Sequence, residues 1–197
     1  MQRKTVVLAA GAFPRKGTVP RQMLDSARRV VCCDGAADAY RRRTGREPCA
    51  VVGDCDSLKG RFNNVVKVAE QDTNDLEKAV RHCRSRKWGK LAVVGATGGR
   101  EDHSVGNLFR ALDLGVEVAT ERGLFRPVIG EASFRVRKGC AVSIFAPHEG
   151  TTLRSSGLQW PLDSLKRPDM HNATLNRAVA ARMRISASKP VLVFTEW

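Results

Sequence analysis

The sequence predicts an α/β N-terminal domain with a mostly parallel sheet, plus a smaller all-β, sandwich-like C-terminal domain. Three observations carry this. From Thr5 to Thr120, short Val-rich apolar runs alternate with amphipathic segments, the rhythm of βαβ units. After Arg122 the apolar runs are separated by Gly and Pro with no long helical period between them, which favours antiparallel strands. With 197 residues the chain can fill one large domain or two small ones, and the change of rhythm divides it into residues 1–121 and 122–197.

Taken in order, Thr5–Ala10 reads as a strand, Val19–Arg29 as a helix, Val30–Cys33 as a strand and Ala36–Arg43 as a helix. Ala50–Val52 and Val65–Val68 are further strands. Between Asn74 and Arg86, Leu76, Ala79, Val80 and Cys83 recur at spacings of three and four, so one face of a helix is apolar. Leu91–Val94 is a near-continuous apolar strand of the buried parallel kind. A helix over Val105–Leu114 and a strand over Val116–Thr120 close this half. Beyond it, Ser133–Arg137, Ala141–Phe145, Thr151–Arg154 and Pro190–Thr195 read as short strands, and the polar stretch Asp163–Asn176, with Pro168, as a loop.

Composition narrows the function classes. The formal charge of +14 suits an anionic partner, either a nucleotide phosphate or a nucleic acid. Only 6% of residues are aromatic and no RNP-like cluster occurs, so no specific nucleic-acid binding is expected. The apolar runs are far shorter than the roughly 18 residues of a membrane span, and the opening residues lack a secretory h-region. Six cysteines without any C-x-x-C read as reduced, mostly buried thiols of a cytoplasmic protein.

The chemistry lies in where the acids fall. Asp34 follows the second predicted strand, Asp54 and Asp56 the third, Asp72 and Asp75 the fourth, and Asp102 the fifth after a Gly-rich turn. Open α/β sheets bind ligands at the carboxyl ends of their strands. Several carboxylates gathered there repel one another unless a cation intervenes, and oxygen ligands beside phosphates suit Mg²⁺. In an extended D-x-D segment Asp54 and Asp56 point to one side while Cys55 points away. Read singly, these residues have blander roles: Asp75 suits helix capping as well as metal binding, and Asp34-Gly35 suits a turn. Their coincidence at four strand ends favours a site.

Gly95-Ala-Thr-Gly98-Gly99-Arg100-Glu-Asp102-His103 runs from a strand into a helix. Its glycines leave backbone N–H groups open to a phosphate, and Arg100 can fork onto phosphate oxygens; a tight turn with an exposed Arg is the plainer reading. It matches neither a Walker A loop nor a G-x-G-x-x-G fingerprint. Trp160, beside Pro161, fits a core position or a ligand platform. His148 and His171 have no partner at metal-ligand spacing.

In order, Gly11, Cys33-Asp-Gly-Ala36, Gly53-Asp-Cys-Asp-Ser57, Gln71-Asp-Thr-Asn-Asp75-Leu-Glu-Lys-Ala79, Gly98-Gly-Arg-Glu-Asp-His103 with Asn107, and Gly157-Leu-Gln-Trp-Pro-Leu162 resemble the thiamine pyrophosphokinase family over nearly the whole chain. The resemblance implies a nucleotide-binding α/β domain, a thiamine-binding and dimerising β-sandwich, a homodimer with composite sites, and Mg²⁺-dependent pyrophosphoryl transfer from ATP to thiamine that releases AMP. It assigns Asp54, Asp56 and Asp75 to the metal. Asp34, Gln71, Asp72, Gly98, Gly99, Arg100, Asp102 and Asn107 go to ATP, the metal shell and the substrate, and Trp160 and Asn176 to thiamine. Asp54, Asp75 and Arg100 are the implied catalytic set, with Asp54 the acceptor of the hydroxyl proton. Two positions depart from the family pattern: Leu175 stands where a Ser precedes Asn176, and Ala10 where an Asn precedes Gly11. The D-x-D element alone is equally compatible with another nucleotide-dependent transferase or a phosphohydrolase, and the charge with a basic RNA-binding protein.

Overall fold

The computed structural model describes residues 5–197. The chain divides into two compact units, one made of residues up to Arg110 with Val118–Glu121, the other of Ala111–Glu117 with Arg122–Trp197. Among the described residues no helix is long and apolar enough to cross a membrane.

The first unit contains β1 (Thr5–Leu8), α1 (Val19–Asp25), β2 (Arg29–Cys33), α2 (Ala36–Thr44), β3 (Ala50–Gly53), β4 (Val65–Lys67), α3 (Asp75–Ser85), β5 (Leu91–Val94) and most of α4 (Glu101–Asp113) and β6 (Glu117–Ala119). The sheet order is β6-β5-β1-β2-β3-β4, and β5, β1, β2, β3 and β4 pair in parallel. The strands have no polar face because helices cover both sides of such a sheet: Val6, Val7, Val31, Val51, Val52 and Val93 are at most 1% exposed. On α3, Leu76, Ala79, Val80 and Cys83 supply the buried stripe that the spacing predicts.

Two helix boundaries differ from the sequence reading by about a turn. Helix α4 begins at Glu101, a turn before Val105, because Glu101 and Asp102 occupy its first turn, where acids favour the positive end of the helix dipole. Helix α1 stops at Asp25 rather than Arg29, with Ser26 as its C-cap.

The second unit holds β7 (Gly123–Arg135), β8 (Ala141–Phe145), β9 (Leu153–Ser156), β10 (Asn176–Arg177) and β11 (Arg182–Glu196) in the order β10-β8-β11-β7, with β9 also on β11. The pairs among β7, β8, β9, β10 and β11 are antiparallel, as expected. Two strands are much longer than predicted: Ser133–Arg135 of the predicted Ser133–Arg137 is the end of β7, and Pro190–Thr195 the second half of β11. Along β11, Met183, Ile185 and Ala187 are buried and alternate with more exposed Arg184 and Ser186, a period of two that polar residues dilute in the sequence. The ladder shifts register between Ala187 and Val191, opposite Gly130 in a left-handed conformation (φ +68°). That irregularity lets β11 pair with β9 before it and β8 after it, so one strand serves two faces of a sandwich. Cys140, Val142, Ile144, Met183, Ile185 and Val193 form the centre of its core.

All six cysteines are free, with Cys32, Cys33, Cys83 and Cys140 buried, Cys55 half-buried and Cys49 exposed. Burial pushes the Cys33 thiol well above its ordinary pKa, which keeps it an inert apolar side chain.

The sheet order reverses beside β1, whose neighbours are β2 and β5. The segments leaving β1 and β5 are stitched together there: Gly11 N–H donates to the Gly95 carbonyl (2.8 Å) and Ala12 N–H to the Thr97 carbonyl (2.9 Å). A Cβ on Gly11 would stand 2.6 Å from the Gly95 oxygen and 2.8 Å from the Thr97 oxygen, both backbone atoms that cannot swing aside. Gly11→Ala is therefore expected to destabilise the protein by about 1–3 kcal/mol, a fall in Tm of roughly 2–12 °C for a chain of this size. A thermal melt checks this, and an unchanged Tm would show that the two segments separate freely.

Candidate active site

At this reversal of strand order, where open α/β sheets place ligands, a cavity of about 600 Å³ opens. Its walls come from Ala9–Gly11 after β1, Asp54 after β3, Gln71 and Thr73–Asp75 leading into α3, Lys78 on α3, and Gly99, Arg100, Asp102–Ser104, Gly106 and Asn107 at the start of α4. Two strand ends and two helix starts thus converge because the parallel connections return every strand in the same direction.

Beside Asp54 stand Asp34 and Asp56, and ligating oxygens of the three lie within 4.8 Å of one another. Asp34 is buried in a left-handed conformation (φ +34°), uncommon for a residue with a Cβ. Its Oδ2 accepts the Ser57 N–H (3.0 Å), while its buried Oδ1 has no hydrogen-bond partner. Burial, and then neighbouring Asp56 and Asp75, raise the pKa of Asp34 against the lowering by the Ser57 N–H. Asp56 is exposed and lowered, first by the Ser57 hydroxyl that donates to it (2.9 Å). Between Asp54 and Asp56, Cys55 is also left-handed (φ +66°). A buried carboxylate oxygen lacking a donor, among other carboxylate oxygens, is the donor set a hard divalent cation takes.

Asp75 does not join that trio. Its Oδ1 pairs with Lys78 Nζ (3.3 Å), whose side chain is only 3% exposed. Gly53 is what lets Asp75 and Asp34 approach: a Cβ there would lie 3.1 Å from Asp75 Cγ and 3.0 Å from Asp34 Cβ. The preceding Asn74 caps α3, its side chain accepting the Glu77 N–H (3.0 Å), and donates to Asn107 Oδ1 (3.4 Å). Asn107 in turn donates to the Ala96 carbonyl (3.1 Å), tying α4 and the Gly-rich turn to the start of α3. Arg100 is mostly exposed and forks onto Asp102 at 3.2 and 2.6 Å. That fork, with the His103 N–H, holds Asp102 at about 2.

Of the sequence-derived candidates, Asp54, Gln71, Asp75, Gly99, Arg100, Asp102 and Asn107 line the cavity, and Asp34 and Asp56 adjoin it through the carboxylate cluster. Asp72 and Gly98 are outside the lining, although Gly98 supplies a positive φ of 77° to the turn. Two buried charges were overlooked. Lys78 sits three residues after Asp75, the helical spacing that brings them together. Glu77, also buried, is held by Arg81 (2.5 Å) and Arg110 (3.2 Å), bracing α3 against α4. Both lie in the Asp75-Leu-Glu-Lys-Ala79 motif, where charged residues next to an apolar stripe read as a solvated flank.

In the second unit, Trp160 is 54% exposed and stands outside the core cluster. Asn176 is buried, and its side chain accepts the N–H of Trp160 (3.2 Å) and of Arg177 (2.8 Å) while donating to the Trp160 carbonyl (2.7 Å). Leu175 just before it is 85% exposed and left-handed (φ +60°). Asn176 therefore anchors the tryptophan's backbone.

The thiamin pyrophosphokinase catalytic domain matches residues 20–120, and the thiamin pyrophosphokinase substrate-binding domain residues 123–194. No curated protein matches the sequence at a significant level. Among solved structures, the chain is similar to a thiamine pyrophosphokinase from Bacillus subtilis (TM-score 0.74, 19% identity, 98% of each chain covered). It also resembles one from Geobacillus thermodenitrificans (0.75, 21%, 98% of this chain and 96% of that one). A thiamin pyrophosphokinase from Candida albicans is similar too (0.73, 15%, 98% and 89%).

The carboxylate geometry yields a direct test on the metal-free protein. Removing one negative charge relieves repulsion, so Asp54→Asn is expected to melt higher than wild type in EDTA and to lose the further rise that Mg²⁺ gives the wild type. Equal responses of the two proteins to Mg²⁺ would show that Asp54 is not a ligand.

Proposed function

Because the chain belongs to the thiamin pyrophosphokinase family and makes thiamine diphosphate by pyrophosphoryl transfer from ATP, we propose that the cavity of the first unit receives the ATP phosphates, beside a Mg²⁺ held by Asp34, Asp54 and Asp56. The observation that carries this is the buried, unpartnered Asp34 Oδ1 among carboxylate oxygens within 4.8 Å. An ion bound there supplies positive charge to phosphate oxygens, the usual contribution of a metal to phosphoryl transfer.

The remaining work falls to the chain's own groups. Gly98 and Gly99 leave the turn before α4 free of side chains, and the first N–H groups of that helix suit phosphate oxygens. Lys78 is a buried cation on the cavity wall, and Arg100 an exposed one, paired with Asp102, that a phosphate would draw onto itself. Gln71 and Asn107 complete the polar lining. When the hydroxyl of thiamine attacks the β-phosphorus and AMP departs, Asp54 is placed to take the hydroxyl proton, while Asp75 neutralises Lys78 before substrate binds.

Residues 1–121 then form the nucleotide- and metal-binding domain and 122–197 the thiamine-binding and dimerisation domain. Trp160 stacks on thiamine, whose cationic ring system suits an aromatic face, and Asn176 acts through it. The exposed apolar side chains of Trp160, Leu175 and Val179 support a homodimer in which Trp160 completes the neighbour's site. The six unpaired thiols support a cytoplasmic location.

With ATP, Mg²⁺ and thiamine the expected products are AMP and thiamine diphosphate. Excess EDTA is expected to stop turnover, and Asp34→Asn or Asp54→Asn to lose most of it with the fold retained. Undiminished turnover in EDTA refutes the metal assignment.

Trp160→Ala is expected to raise the KM for thiamine by roughly 5- to 150-fold, equivalent to about 1–3 kcal/mol of stacking, with little change for ATP. Asn176→Ala moves the same constant, and the double variant adds nothing further. Mixing Asp54→Asn with Trp160→Ala subunits is expected to restore some activity through hybrid dimers. No recovery despite subunit exchange would assign each site to a single chain.

A further inference from the structure

The loop from Asp54 to Asn64, which joins β3 to β4, carries two of the three clustered carboxylates near its start. A loop of this kind is ordinarily mobile, and repulsion among three carboxylates drives it outward. It is nevertheless held at successive points by the element on its flank. Ser57 N–H donates to Asp34 (3.0 Å), at the entrance to α2. One turn further on, both carboxylate oxygens of Asp38 are occupied: Oδ2 accepts the Lys59 N–H (2.9 Å) and Oδ1 the Gly60 N–H (2.9 Å). Arg41, three residues on, donates to the Arg61 carbonyl (2.9 Å) and stacks over the Phe62 ring (4.2 Å to its centroid). A Cβ on Gly60 would stand 2.8 Å from Asp38 Oδ1 and meet the Arg41 guanidinium, so a larger residue there would displace those side chains.

We infer that Asp38 is a positioning residue for the metal: from the first turn of α2 it fixes the loop that brings Asp54 and Asp56 to Asp34. The inference rests on the reading of Asp34, Asp54 and Asp56 as the ligands. An acid in the first turn also favours the helix dipole, but that role needs neither paired acceptance from consecutive-turn N–H groups nor an adjacent Arg gripping the same loop. Because Asp34 enters α2 and Asp38 lies on it, the helix that supplies the third ligand also sets the position of the other two. Groups that orient metal ligands typically change affinity 10- to 100-fold when removed.

The test is a titration of the full-length, nucleotide-free protein with Mn²⁺, followed by the loss of the free-ion paramagnetic resonance signal, alongside the Tm of each protein in EDTA. Asp38→Ala is expected to weaken Mn²⁺ binding roughly tenfold, with all three ligands present. If that variant fails to fold, Asp38→Asn, which sets an amide NH₂ against a backbone N–H, is expected to weaken binding in the same direction. Wild-type Mn²⁺ affinity in a folded Asp38 variant, whatever its Tm, overturns the inference and leaves Asp38 a structural anchor. Wild-type affinity in Asp54→Asn overturns instead the metal reading on which it stands, so the two failures are distinct.

Discussion

Three carboxylates with oxygens within 4.8 Å of one another are the constraint around which the first unit is arranged. Such a group is unfavourable in a folded protein without a counter-charge, and the surrounding structure is built to keep it together. Asp34 and Cys55 adopt left-handed backbone conformations, strain of the sort that persists where the neighbourhood over-determines it. Gly53 removes the Cβ that would push Asp34 and Asp75 apart. The anchors on Ser57, Lys59 and Gly60 hold the loop in place. Stability is given up locally for a ready-made acidic pocket, consistent with pyrophosphoryl transfer, where positioning and charge neutralisation provide most of the rate.

The cations are organised by the same logic on the other wall. Lys78 is buried against Asp75, a partner that reduces the penalty of burying its charge. Arg100 is paired at the surface with Asp102, an exposed contact of small energy that a polyanion readily replaces. Glu77, between Arg81 and Arg110, and Asn74, bonded to Asn107, couple the two helices that carry these groups.

The second unit solves a different problem, how to display a large apolar ring at the surface. Trp160 follows Gly157, left-handed at φ +79°, and is held by a buried amide rather than by packing: Asn176 engages both its N–H and its carbonyl. A buried Asn with three hydrogen bonds is well satisfied, so the anchor is stable whether or not the ring is covered. Leu175 follows from that geometry, since the residue next to the anchored Asn is turned outward at 85% exposure.

Much of this was legible in the amino-acid order. Periodicity decided the parallel strands and α3, because burial on both faces of a sheet and one face of a helix leaves a direct imprint on which residues are apolar. Acids at four strand ends and glycines after β5 marked the edge where the cavity opens, since strand direction alone brings those ends to one edge. The full lengths of β7 and β11 were not legible, because partners distant in sequence decide whether a polar residue continues a ladder. Nor was it legible which oxygens cluster: Asp34 and Asp75 both follow strands and come close across Gly53, and it is the pairing with Lys78 that distinguishes Asp75. Spacing along the chain records which groups reach the same edge; which oxygens meet within a few ångströms depends on side-chain directions and neighbouring charges that exist only once the chain has folded.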